Sequence, residues 1–210
     1  MPLNRFDRLA PERRQRLLSA AAREFSAEGF DKASLGRIAD DAGVSKPAVY
    51  YYFEDKADLY ATVVREAWSQ LAPERDIDLD RLGPDTFWPA LEAAHARTFE
   101  RSRHEPWLVS VWKLAYHPPP EGIAGGALTD VFDEGQRFLR ALIRRGQALG
   151  AVRTDLPEDL LIALFTGADN AADHWLVDHY DDFGSEAVLS LARAVSRSVR
   201  LILAPPDAPS

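Results

Sequence analysis

Apolar residues return every three or four positions through most of this chain, with charged and polar residues between them, which is the period of an α-helix. Leu18, Ala21, Ala22 and Phe25 form the first such stripe and predict a helix over about 11–28. Pro11 suits its first turn, and Gly29 suits the position just past its end. Ser34 stands before Leu35, Ile38 and Ala39 as a natural N-cap, with Gly43 as the next stop; the second helix is therefore short, about 35–42. Ser45 is another cap, and Pro47 falls in a first turn, where its missing N–H costs nothing. A third helix follows at about 46–52. Asp55 can cap a fourth, over about 56–73, whose inner face carries Leu59, Val63, Ala67 and Leu71.

Beyond that point Pro73, Gly83 and Pro84 punctuate a polar connector. Further helices are expected at about 84–101, 105–115, 127–148, 157–179 and 184–203. HPPPEGIAGG, residues 117–126, reads as a loop, and the terminal APPDAPS as a frayed tail. No strand pattern or internal repeat is visible. The expected fold is all-α, with about nine helices. It has a three-helix N-terminal domain over residues 1–56, a larger helical bundle over 57–204 and a disordered tail over 205–210.

The two short helices, joined by Asp41, Ala42, Gly43 and Val44, form a helix-turn-helix. Phe25, Leu35, Ile38, Val49 and Phe53 supply its core. Tyr50, Tyr51 and Tyr52 follow one another directly, so on a helix they point about 100° apart and at most one can face inward. The second helix of such a motif docks in the DNA major groove. A tyrosine hydroxyl there reaches a phosphate while the ring packs on sugar or a thymine methyl. Small Pro47 and Ala48 permit close approach. The triplet alone leaves open the plainer alternative of an ordinary surface helix.

Charge at first argues against nucleic acid, since the chain carries a net −8. Residues 1–60, however, hold 10 Lys+Arg and 10 Asp+Glu, leaving 25 − 10 = 15 bases and 33 − 10 = 23 acids in the rest. The acidic excess lies wholly after residue 60, and a neutral N-terminal segment can still sort its bases onto one face. There is no cysteine, which excludes thiolate metal sites, disulfides and cysteine nucleophiles and suits a reducing cytoplasm. No secretory signal is visible in MPLNRFDRLAPERRQR. No apolar run of about 18 residues predicts a membrane span.

Residues 11–60, and within them LLSAAAREFSAEGFDKASLGRIADDAGVSKPAVYYYFEDKADL, resemble the DNA-binding domain of the tetracycline-repressor (TetR) family of bacterial transcription regulators. The resemblance rests on the Ala/Phe face of the first helix, the small polar cap before LGRIA, and AGVS followed by the ending Y-x-Y-F-x-x-K-x-x-L. It implies backbone-phosphate contacts from Ser34, Ser45, Tyr50, Tyr52 and Lys56, and base or near-base contacts from Arg37, Lys46, Pro47, Ala48 and Tyr51. Tyr52 stands where many members carry histidine, and Pro47 where glycine or another small residue is common. Few strong hydrogen-bonding side chains reach bases, so shape readout is expected to contribute.

For the remainder the resemblance implies a homodimer paired through the last two helices, and a pocket for a small-molecule effector. Leu161, Phe165, Ala168 and Ala172 with Leu191, Val195, Val199 and Ile202 are the candidate dimer positions. The same stripes could equally close the protomer's own core. Trp88, His95, Phe99, Trp107, Trp112, Tyr116, Phe138, Phe165, His174 and Trp175 are candidate pocket residues, although such aromatics commonly fill a solid core. The five histidines do not show metal-ligand spacing, and no metal or cofactor is expected. No phosphate loop, nucleophile elbow or paired-carboxylate motif points to an enzyme. The expected function is a ligand-responsive repressor that binds palindromic double-stranded operator DNA as a homodimer, with no membrane association. The alternative is a DNA-binding factor that organises chromosomes or answers to a protein partner.

Overall fold

The computed structural model describes residues 5–71, 77–116, 128–179 and 185–206. Within them it is all-α, as expected, with nine α-helices and no strand. The helices are α1 (Pro11–Lys32), α2 (Leu35–Ala42), α3 (Lys46–Tyr52), α4 (Lys56–Leu71), α5 (Phe87–His104), α6 (Pro106–Tyr116), α7 (Thr129–Ala148), α8 (Glu158–Asp178) and α9 (Ser185–Leu203). A 3-10 turn at Leu79–Arg81 was not foreseen; three residues are too few to carry a period. The expected loop at 117–126 and the last residues of the tail, 207–210, lie outside the described residues.

The helix boundaries follow local chemistry. Gly29 leaves helical geometry at φ 73°, ψ 170°, and a further turn then carries α1 to Lys32. Ser34 caps α2 by accepting the Arg37 N–H, and Ser45 caps α3 by accepting the Ala48 N–H. Gly43 ends α2 in the left-handed region (φ 67°), which a side chain would resist. At the start of α4 the Asp58 N–H donates to Asp55 at 2.8 Å, while the Asp58 carboxylate accepts the Glu54 N–H at 3.2 Å. That reciprocal arrangement satisfies two donors that would otherwise be orphaned.

The chain divides into two compact units. One comprises residues up to Gln70 together with Glu105–Phe132; the other comprises Leu71–His104 and Asp133–Ser210. The first is built on α1, which packs against α2 and α6. Leu17, Leu18, Ala21, Ala22 and Phe25 are all buried, and so are Ile38, Val49, Phe53, Leu59 and Val63 from the next three helices and the segment after α3. Leu35, expected in this core, is only half-buried. Phe25 meets the Tyr60 ring edge-on at 5.1 Å, and burial pushes the Tyr60 hydroxyl up to about 12.

The second unit centres on Phe87, Leu142, Ile143, Val152, Leu161, Ile162, Val199 and Leu203. Here α5 and α8 both pack on α9. Gly146 lets α7 approach closely: a Cβ there would collide with Val152 and lie 2.7 Å from the Phe87 ring.

Two stability outcomes follow. Phe25→Ala should cost roughly 3–5 kcal/mol in chemical denaturation, and near-native stability would show that α1 does not carry the core. Gly146→Ala gains about 1 kcal/mol of helix propensity but overpacks the buried Val152 and Phe87 side chains for about 1–3 kcal/mol. A net loss is expected, read as a lowered denaturation midpoint.

Candidate nucleic-acid interface

The second helix of the helix-turn-helix, α3, buries only Val49. Lys46 and Pro47 are exposed, Ala48 is half-buried, and Tyr50 and Tyr51 are 51% and 53% exposed. Tyr52 is half-buried, with its ring 6.4 Å from Phe6. The three tyrosines therefore divide as helical geometry requires, two outward and one turned toward the fold. An apolar ring left half in water on a seven-residue helix is poor economy for a monomer's surface, whereas it suits a contact with sugar and base edges. Ser45 is exposed at the head of the same helix.

The flanking candidates are held by a polar frame around the α1–α2 turn. Glu24, on α1, accepts the Ser34 N–H at 2.7 Å and the Arg37 Nε at 2.8 Å. The Arg37 Nη2 lies 2.5 Å from the same carboxylate and 3.7 Å from Glu28, and it also donates to the Lys32 carbonyl at 3.3 Å. Arg37 is thus committed to α1, and a base contact would require it to exchange partners. Lys56 Nζ donates to the carbonyls of Asp31 and Ala33, at 2.9 and 3.2 Å, and lies 4.8 Å from the Phe30 ring centroid. It ties the start of α4 to the end of α1, a role that sequence spacing did not reveal. Glu24 was missed as well; a lone acid on a helix looks like any solvated charge until the turn opposite it is placed.

Burial alone would raise the Glu24 carboxyl. The Arg37 hydrogen bond, the Ser34 N–H and the Arg37 charge outweigh it and hold the carboxyl below its ordinary 4.5. Its stabilising contribution is therefore present above that ordinary value and is lost as pH falls through the lowered one.

The remaining candidates lie elsewhere. Trp107 is buried in the first unit, with its Nε1 donating to Glu105 at 3.2 Å. The side chains of Trp112 and Tyr116 lie outside the described residues. In the second unit Phe99 is buried beside His95, and Trp88, Phe138 and Phe165 pack on the core cluster. His95 Nδ1 lies 3.0 Å from the Ser196 hydroxyl, joining α5 to α9. His174 is exposed, and Trp175, 44% exposed, stacks on His179 at 4.3 Å. Among the dimer candidates, Leu161 and Val199 are buried within the protomer, Phe165, Ala168, Ala172, Leu191 and Val195 are half-buried, and Ile202 is exposed beside Leu201, which is 77% exposed. Among the described residues no three potential ligands converge to hold a metal, and no helix is long and apolar enough to cross a membrane.

This geometry defines a helix-turn-helix protein with its second helix presented to solvent, and comparison with known proteins agrees. Residues 17–63 match the model of bacterial regulatory proteins of the tetR family. The chain is 30% identical over 169 residues to the HTH-type transcriptional repressor Rv1474c of Mycobacterium tuberculosis, covering 77% of this chain and 80% of that one. It is 24% identical over 172 residues to the probable acrEF/envCD operon repressor of Escherichia coli K12, covering 79% and 76%. Among solved structures it shares its fold with the transcriptional regulator FadR of Bacillus subtilis in complex with stearoyl-CoA, with a TM-score of 0.71 at 17% identity, covering 88% of this chain and 96% of that one. The chain belongs to the tetR family of bacterial regulatory proteins.

Removing the frame should loosen the interface. Glu24→Ala removes the acceptor of the part-buried Ser34 N–H and frees the exposed Arg37 guanidinium, and is expected to cost roughly 0.5–1.5 kcal/mol in denaturant titrations at neutral pH. That difference from the wild type should shrink as pH drops below the lowered Glu24 value. A difference that grew on acidification would contradict the assignment.

Proposed function

We propose that the protein is a ligand-responsive transcriptional repressor that binds palindromic operator DNA as a homodimer and is released by a small apolar or aromatic molecule. The observation that carries the DNA half is the outward face of α3, with Ser45, Lys46, Pro47, Tyr50 and Tyr51 exposed and Ala48 half-buried among them. In this reading Lys46, Pro47, Ala48 and Tyr51 meet base edges, with Ser45 and Tyr50 on phosphates. Ser34, Tyr52 and Lys56 flank them at the backbone, and Arg37 reaches a base only by leaving Glu24.

Dimerisation is supported by the apolar residues that α8 and α9 leave at the surface, namely Leu160, Trp175, Leu201 and Ile202. Two copies of α3 about one turn of DNA apart would then read a palindrome. An apolar effector accords with the aromatic content of the second unit, and with a structural neighbour that is seen with stearoyl-CoA. Such an effector acts only through its differential affinity for the DNA-competent and released states.

The test is a titration of the purified protein on DNA flanking its own gene, with competitor DNA and defined salt. Tight, salt-sensitive and specific binding that is relieved by an acyl or aromatic compound supports the proposal. Specific binding that no such compound relieves would leave the repressor and remove the effector class. Tyr50→Phe should weaken binding about tenfold, equally on operator and competitor. A selective loss on operator would move Tyr50 from phosphate to base.

A further inference from the structure

Ahead of α1 the chain folds back beneath α3. The Leu9 N–H donates to the Phe6 carbonyl at 3.0 Å, closing a turn. Phe6 is 1% exposed, its ring 4.9 Å from Phe53 and 6.4 Å from Tyr52, with the Arg14 guanidinium 5.9 Å from its centroid. An anchor at residue 6 fixes the position of residue 5, and the Arg5 guanidinium lies 4.5 Å from the centroid of the Tyr51 ring.

We infer that Arg5 belongs to the DNA-contacting surface and takes a backbone phosphate beside the groove that α3 enters. This rests on the reading of α3 as the DNA-facing helix. Three observations carry it. First, Arg14, Arg23 and Arg37 of the same unit are each paired with a carboxylate, whereas exposed Arg5, like Arg8, Arg13 and Arg16, pairs with no described carboxylate, and it is Arg5 that lies over the half-exposed Tyr51 ring of α3. A guanidinium held over a ring rather than by a carboxylate keeps N–H donors available for a phosphate. Second, residues 5–16 hold five arginines (5, 8, 13, 14 and 16) against two acids (Asp7 and Glu12), a local balance of 5 − 2 = +3 in a chain of net −8. Third, the buried Phe6 has already ordered the segment, so the contact does not require a free tail to be immobilised.

The experiment uses a duplex recovered from fragmented genomic DNA by the wild-type protein. Its affinity is followed across a salt series for the wild type, Arg5→Ala and Arg5→Lys, with thermal midpoints measured alongside. Arg5→Ala should reduce the slope of log affinity against log salt by about one unit and bind roughly tenfold more weakly near 0.1 M salt. Arg5→Lys should keep the slope, and neither should move the midpoint appreciably. An unchanged slope for Arg5→Ala overturns the inference; if affinity nonetheless falls at every salt concentration, Arg5 only supports the Tyr51 ring. Should Arg5→Ala prove unstable, Arg5→Lys decides: a lost slope unit with charge retained would contradict a phosphate contact. Recovery of no fragment by the wild type would instead remove the DNA reading of α3, and this inference with it.

Discussion

The presented surface depends on one constraint: the two helices that carry it are too short to exist alone. α2 has eight residues and α3 seven, below the roughly 12–15 at which even favourable isolated helices become marginal. Their conformation is imposed from behind. Ile38 and Val49 are each 0% exposed, and both lie in the core that α1 provides. Anything that loosens α1 removes the support of the face that α3 shows to solvent.

Polar chemistry completes what burial begins. Two side chains, Glu24 and Lys56, hold the α1–α2 turn, the acid accepting donors from Ser34 and Arg37 and the lysine donating to the carbonyls of Asp31 and Ala33. Of these contacts the Ser34 N–H to Glu24 and the Lys56 to Ala33 bonds are part-buried, and a part-buried donor or acceptor loses more when its partner is removed than the bond contributes as a pair. Exposed ties such as Arg23–Asp41, at 2.6 Å, contribute much less. Several of the balanced charges of the first 60 residues are paired with one another, as in Arg23–Asp41 and Arg37–Glu24.

Much of this was legible in the sequence because it is local. Ser34, Gly43, Ser45, Pro47 and Asp55 each act within a few residues of themselves, so spacing sufficed to place α2, α3 and the start of α4 within a residue. What was not legible depends on long-range placement. Phe6 precedes any periodic stripe, and only the folded chain shows it under Phe53. Lys56 looks like a solvent-facing base until the carbonyls of Asp31 and Ala33 are found beside it. Leu161 and Val199 lie on stripes whose burial within the protomer could not be told from burial against a second copy. Trp107 carries the same aromatic signal as Phe99, yet the two belong to different units.

The central claim is that the face of α3, framed by the α1–α2 turn, is where DNA binds. Mapping backbone amide chemical shifts while a duplex selected by the protein is added tests it most directly. The account predicts perturbations concentrated at Ser34 and across Ser45–Tyr52, with far smaller changes in the core of the second unit. Perturbations centred on the second unit, with the amides of 45–52 unmoved at saturation, would contradict it.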